Sequence, residues 1–439
     1  MVDSKVNIKE FRARRARLLA DMGEGVALIP TAPEAIRNRD SHYPYRFDSY
    51  FHYLTGFREP EALLVVVAGV DPKSILFCRD KDTEREIWDG FRYGPEAALS
   101  AFGVDEAYSI TLLDEWVLEH LANQPRLYYS LGGDAAWDQR VMRWLNDLRG
   151  QARGGVSAPA ALHDVRPLID EMRLYKSAFE LDIMRRAAQI SAEAHRRAMQ
   201  AVRPNMMEYE IEAELLHTFY QHGSRSPAYS SIVAGGANAC VLHYVENDAQ
   251  LKNGDLLLID AGCELDGYAS DITRTFPVGG KFSGPQKDLY ELVLAAQAAA
   301  IEAARPGAHW NMPHEAALEV LIGGFIHFGL CKGSPEAVLE SGDYRRFYMH
   351  RTGHWLGLDV HDAGEYKQKN GDWRLLQPGM TLTVEPGCYV RPADDVPEPF
   401  WNIGIRIEDD VAITEAGCEV LTIAAPKTVF DIETLMARG

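Results

Sequence analysis

Asp260 closes an almost wholly apolar run, LLLID over 256–260, and Asp271 follows eleven residues later in ASDITRTFPV. An ionised carboxylate ending a buried strand is costly unless a cation or several donors compensate it. The pair therefore points to a metal ion. The segment Glu264-Leu-Asp-Gly-Tyr268 between them carries the Asp-Gly signature of a tight hairpin. A turn centred on Leu265 and Asp266 sets Asp260 directly opposite Asp271, two carboxylates on one face that repel each other without a cation. The device recurs with Glu385 in TLTVEPG and Glu408 in IGIRIEDD. Strand alternation puts Arg406 and Glu408 on one face while Ile405 and Ile407 pack the other.

An imidazole to complete the set is expected from HRTGHWLGLDVHD, residues 350–362, which holds His350, His354 and His361. Gly353 and Gly357 make this segment a loop or bent strand. His350 and His354 have the spacing of a helical zinc motif, but position 351 is Arg, so the general base of that motif is missing. Four carboxylates and one neutral imidazole match two divalent cations in charge. Hard oxygen ligands with one nitrogen favour manganese, cobalt or iron, with zinc, which prefers thiolates, as the other occupant considered. Two such ions ~3.5–4 Å apart turn a shared water into hydroxide near neutral pH and polarise a carbonyl, so the expected chemistry is metal-bridged hydroxide attack on an amide. His243 in CVLHYVEND and His361 in LDVHD are candidates to orient substrate, stabilise an oxyanion or move protons. His350 is a candidate to line the pocket, whereas His195, His217 and His222 lie on helices of ordinary amphipathic pattern and read as structural.

These residues need elements to position them, and the sequence repeats itself where they occur. LKNGDLLLIDAG, residues 251–262, aligns without a gap with LQPGMTLTVEPG, residues 376–387, and Asp260 falls on Glu385. Each copy follows a pair of expected helices. The first pair runs from Ser177 to His222 and breaks at Val202–Asn205, with Ser177 and Glu180 forming a capping box; the second runs from about Pro285 to Phe328 and breaks at Ala304–Gly307. Two similar halves, each with two helices backing a few strands, are expected to curve one sheet around a central site. Upstream, GVALIP, EALLVVVAGV, SILFCR and RLYYSLGG alternate with helical stretches such as AAWDQRVMRWLNDLRG, the pattern of a small α/β domain. The boundary is expected near Arg173, giving domains 1–173 and 174–439.

Length and composition agree with two domains. At 439 residues the chain exceeds the ~250–300 at which a single core stops growing. Its net charge of −19 argues against a nucleic-acid partner, and no run approaches the ~20 apolar residues of a membrane span. The one basic cluster, Arg12, Arg14, Arg15 and Arg17, reads as a solvated helix face. Six cysteines without CxxC spacing read as free thiols in the cytoplasm.

The segments GDLLLIDAGCELDGYASDITRTFPV, HRTGHWLGLDVHDAGEY, PGMTLTVEPGCYV and NIGIRIEDD closely resemble the pita-bread metallopeptidases, in particular the aminopeptidase P family. RFDSYFHYLTGF and REIWDGFRYG resemble the creatinase-type N-terminal domain that accompanies that catalytic domain, so the resemblance spans nearly the whole chain. It implies an α+β catalytic domain with an internal pseudo-twofold repeat and makes Asp260, Asp271, His354, Glu385 and Glu408 the metal ligands, with Asp271 and Glu408 bridging. It further implies that His243 and His361 flank the scissile bond, that Glu385 shuttles a proton, and that His350, Tyr229, Tyr389 and Arg406 line or support the site. The implied activity is release of the first residue from peptides with proline second, with manganese, in dimers or tetramers where Trp88 reaches a neighbouring subunit's site. A prolidase restricted to Xaa-Pro dipeptides is the nearest alternative, and a non-catalytic peptide-binding module a more distant one.

Overall fold

The duplicated segments 251–262 and 376–387 fold alike. In the computed structural model, which describes residues 7 to 438, each contributes a buried strand, Leu256–Asp260, which ends on its carboxylate, and Thr381–Val384, which ends one residue before Glu385. Two residues beyond each carboxylate stands a glycine, and both are needed for close approach. A Cβ on Gly262 would lie 1.7 Å from the Ser270 carbonyl oxygen, and one on Gly387 2.9 Å from that of Ile405. The Asp/Glu-x-Gly repeat thus records two chain reversals packed too tightly for a side chain.

Behind the strands stand the two expected helix pairs, Ala178–Ala201 with Glu208–Gln221 and Gly284–Ala303 with Met312–His327. The longer helix of each pair opens on a capping box, Ser177 with Glu180 and Ser283 with Gln286. Return strands run antiparallel to the duplicated ones: Thr273–Pro277 against Leu256–Asp260, and Asp409–Ile413 against Thr381–Val384. The first return strand then meets the segment formed by the strand Ile403–Arg406 and Glu408 along a seam, where the Glu408 N–H donates to the Thr273 carbonyl at 3.0 Å and the Thr275 hydroxyl to the Arg406 carbonyl at 3.0 Å.

The chain divides into two compact units between Arg173 and Leu174. The N-terminal unit is built on a six-stranded sheet in the order Glu106–Ser109, Lys73–Cys78, Leu63–Ala68, Gly25–Pro30, Arg126–Tyr128, Ala161–His163. Its central pairings are antiparallel and its outer ones parallel. Val26, Leu28, Val65 and Phe77 pack one face against Val117, Trp144 and Leu148 of the helices Leu113–Leu121 and Ala135–Gly150.

Half of the basic cluster departs from a solvated face: Arg12 and Arg17 are exposed, Arg14 and Arg15 are buried. Arg15 is 2% exposed and donates to the Leu54 and Gly103 carbonyls at 2.8 and 2.6 Å; Arg14 is 6% exposed and donates to the Tyr53 carbonyl at 3.0 Å. These carbonyls belong to the last turns of the helices Ser49–Thr55 and Gly94–Phe102 and the glycine that follows the second. Helix ends leave such oxygens without partners and favour a cation, so the two arginines serve as caps for distant helices. Burial lowers the Arg15 pKa to about 10. Among the described residues no helix is long and apolar enough to cross a membrane, and none of the six cysteines is paired.

Candidate active site

A cavity of about 490 Å³ opens at the seam and collects most of the expected site residues. Asp260, Asp271, His354, Glu385 and Glu408 line it together with Tyr229, His243, His350, His361 and Arg406. Tyr389 is fully buried behind this lining and acts through hydrogen bonds: its hydroxyl sits 2.8 Å from His350 Nε2 and accepts from Arg406 Nη1 at 3.0 Å. Trp88 is not among the lining residues; it lies in the N-terminal unit on the short helix Thr83–Asp89, 83% exposed.

The first hairpin differs from the expected one in register. Its turn is Asp266-Gly267, both with positive φ (53° and 90°), and Leu265 pairs with Tyr268. Asp260 is consequently opposite Thr273, and Asp271 lies two residues off, just before the return strand begins and between the backbone bonds from the Ala261 N–H to the Ile272 carbonyl and from the Ser270 N–H to the Cys263 carbonyl. The two-residue turn with two left-handed positions matches the twist of the flanking strands better than one centred on Leu265. Asp271 and Asp260 still converge, because the Tyr229 hydroxyl lies between them, 2.6 Å from Asp260 Oδ1 and within hydrogen-bond reach of Asp271 Oδ1, with its one proton available to either. In the second half, Val384 pairs with Asp409 and Gly387 with Arg406, so the same register sets Glu385 directly opposite Glu408.

Donor atoms of Asp271, His354 and Glu408 all lie within 4.8 Å of one another. His354 Nδ1 is 2.9 Å from the Trp355 carbonyl, which assigns a proton to Nδ1 and makes Nε2, 3.4 Å from Asp271 Oδ2, the nitrogen a metal would take on displacing its proton. That is the orientation a metal-ligating histidine needs, fixed by a backbone acceptor. Glu385 flanks the group, 3.8 Å from His354 Nε2. Asp260 is turned outward from it, with Oδ2 accepting from Arg406 Nη2 at 2.6 Å.

Electrostatics say the same. Burial pushes Glu408 well above the carboxylate range, reinforced by Asp271 and Glu385. Burial also raises Glu385, to about 7, and raises Asp260, although Arg406 opposes it there. Burial pulls His354 down, but Asp271 and Glu385 outweigh it and hold the imidazole at about 9. Asp271 is the exception, held low against burial by His354 and Tyr229; three buried carboxylates that resist ionisation and one that does not, beside an oriented imidazole, are a donor set that fits divalent cations. Asp409 shows the opposite outcome one residue along from Glu408. It is equally buried, yet Arg274, Lys427, Thr422 and Gln297 all donate to it within 3.0 Å, and its pKa is lowered. It needs no metal.

Several supporting residues lie outside the expected set. The Thr273 hydroxyl donates to Glu408 Oε2 at 2.6 Å, and Asp410 Oδ2 accepts the Asp271 N–H at 3.0 Å. Arg274, with no exposed surface, donates to the Thr273 and Glu408 carbonyls at 2.9 and 2.5 Å and so clamps the seam from behind. The run Glu408-Asp409-Asp410 is visible in the sequence, but which of three adjacent carboxylates takes which partner is decided by strand pairing. His195, read as structural, is buried with Nε2 2.9 Å from the carbonyl of Ala261, the residue after Asp260.

Fold and donor set together define a metallopeptidase built from two pseudo-symmetric halves. Residues 182–415 match the metallopeptidase family M24, and the chain belongs to that family. Residues 11–128 match the aminopeptidase P N-terminal domain, which places the chain in the aminopeptidase P branch. Xaa-Pro aminopeptidases of Escherichia coli K12 and Haemophilus influenzae are 45% and 46% identical to it, each over 99% of this chain and 98% of the relative. Among solved structures, aminopeptidase PepP of Pseudomonas aeruginosa superposes with a TM-score of 0.97 at 49% identity. Zinc-substituted Escherichia coli aminopeptidase P in complex with product does so with 0.96 at 44%, and 99% of both chains is covered in each comparison.

Proposed function

We propose that the chain is an Xaa-Pro aminopeptidase, hydrolysing the bond between the first residue of a peptide and a proline in second position. One observation carries this reading. The five-residue donor set converges in one cavity of a chain that matches two Xaa-Pro aminopeptidases along its whole length.

In this reading Asp260, Asp271, His354, Glu385 and Glu408 hold two divalent ions, with manganese as the resident metal favoured by the oxygen-rich donors. When bound, such a pair acidifies water and polarises a carbonyl oxygen. The remaining steps belong to the side chains. Glu385, on the cavity wall beside His354, moves the proton from water to the leaving nitrogen. His361 is held below its ordinary pKa by burial and by His354. It therefore stays neutral and donates a hydrogen bond beside the scissile carbonyl, with His243 on the same lining. Ile232, Leu242 and Val360 supply apolar wall for the pyrrolidine ring. His350, whose pKa burial and Arg406 lower to about 3, packs this wall uncharged. Tyr229 joins the two carboxylates of the first hairpin. We place the protein in the cytoplasm as a dimer or tetramer, with exposed Ile87, Trp88 and Phe91 forming the apolar patch that meets a second copy.

The test is a kinetic comparison, with manganese present, of an Xaa-Pro dipeptide, an Xaa-Pro-Yaa tripeptide and an Ala-Ala-Yaa tripeptide. The expected result is a clear preference for Xaa-Pro-Yaa. Preference for the dipeptide would make the protein a prolidase, and hydrolysis of none would make it a binding module.

A further inference from the structure

Glu208 opens the helix Glu208–Gln221, has no exposed surface, and lies outside the cavity lining. Four donors hold its carboxylate. Oε1 accepts from the Gly235 N–H at 2.7 Å and Asn238 Nδ2 at 3.1 Å; Oε2 accepts from the Tyr244 hydroxyl at 2.8 Å and the Ala249 N–H at 2.9 Å. All four belong to one stretch of chain, from the end of the strand Ile232–Gly235 through the 3-10 turn Gly236–Cys240 to the loop that follows. A second anchor stands at Asn247, 2% exposed with φ 51°, whose side chain bonds the Val233 N–H and the Ser231 carbonyl at 2.9 Å each.

Between these anchors the loop has no backbone ladder of its own. Tyr244 is its buried residue, packed with Ile232, Leu258 and Tyr389. Its neighbours on either side, His243 and Val245, are exposed and line the cavity. Turning the tyrosine inward to reach Glu208 turns His243 outward. A hydrogen bond to a buried carboxylate is strong and directional, so the phenol fixes how far the loop sinks and hence where His243 stands.

We propose that Glu208, acting through Tyr244, is a positioning residue for the reaction that sets His243 in the cavity wall. This rests on the aminopeptidase reading of the site. Glu208 touches neither substrate nor metal; it fixes the one loop that brings an imidazole to the cavity from the first half of the domain.

The test uses the metal-loaded full-length protein and Xaa-Pro-Yaa peptide, in a double-mutant cycle of Tyr244→Phe and His243→Ala. Tyr244→Phe is expected to lower kcat/KM about 10-fold, the order set by one hydrogen bond to a charged buried group, with metal content unchanged. In the His243→Ala background the same substitution is expected to lower it no further. Glu208→Gln, which keeps the side-chain volume, is expected to behave as Tyr244→Phe. Amide exchange provides a readout independent of turnover: Tyr244→Phe accelerates it across residues 238–249 while the helices keep their protection. An equal fall in both backgrounds, or unchanged kcat/KM and unchanged exchange, would overturn the inference. Absence of turnover in the wild-type protein would instead overturn the aminopeptidase reading, and exchange would still decide whether Glu208 holds the loop.

Discussion

The two hairpins of the catalytic domain start from the same twelve-residue pattern and deliver their carboxylates by different geometry. In the second half, Glu385 and Glu408 face each other across a regular register. In the first, Asp260 faces Thr273, and Asp271 is displaced by two residues toward the turn, ahead of the return strand. The displacement has a use. The seam joins Thr273 to Glu408 and brings the Asp271 N–H to Asp410, so stepping back two residues carries Asp271 toward Glu408 and the centre of the site. Asp260 is left at the flank, where Arg406 and Tyr229 hold it. Duplication supplied two carboxylate pairs, and local register made one member of each central.

The largest effect is expected where the halves meet. Asp271→Asn keeps the shape of the site and removes a central ligand, so turnover of an Xaa-Pro-Yaa peptide should fall by about 10³-fold or more, several kcal/mol of transition-state stabilisation. Far-ultraviolet circular dichroism should be unchanged. Residual activity near wild type would mean that the displaced carboxylate is not central.

The second effect concerns protons. Glu385 binds its proton more tightly folded, at about 7, than unfolded, near 4.5. A raised folded pKa contributes stability that is full below pH 4.5 and lost as pH rises through 7. His354, raised to about 9, acts in the same direction over a higher window. The metal-free protein is therefore expected to be less stable at pH 8 than at pH 5. The gain in Tm on adding metal should grow over that interval as ligands deprotonate. Glu385→Gln should flatten the trend; a metal-induced gain independent of pH would contradict it.

The third prediction isolates the flank of the first half. Arg406→Lys keeps the charge but loses the planar fork that reaches both Asp260 and Tyr389. Metal affinity or activity should drop about 10–100-fold, read by titrating metal into the chelated variant. An unchanged affinity would show that the arginine does not orient the ligand.

Much of this was legible in the chain itself. The Asp/Glu-x-Gly repeat, the helix pairs and the four carboxylates follow from local periodicity and self-similarity, which a sequence displays directly. Register was not legible to two residues, because Leu265-Asp266 and Asp266-Gly267 are both plausible turn centres until backbone twist decides between them. Arg14 and Arg15 read as surface charges because their acceptors, at residues 53, 54 and 103, lie far away in sequence. The same holds for the division of labour in Glu408-Asp409-Asp410, where Arg274 and Lys427 neutralise the middle carboxylate alone.

The most direct test of the account is a manganese titration of the chelated protein, followed by calorimetry and by hydrolysis of an Xaa-Pro-Yaa peptide in parallel. Two ions per chain are expected, with no turnover before metal is added and full turnover on saturation. Full activity in the chelated protein, or saturation of activity and binding at a single ion per chain, would contradict a two-metal site built from both halves.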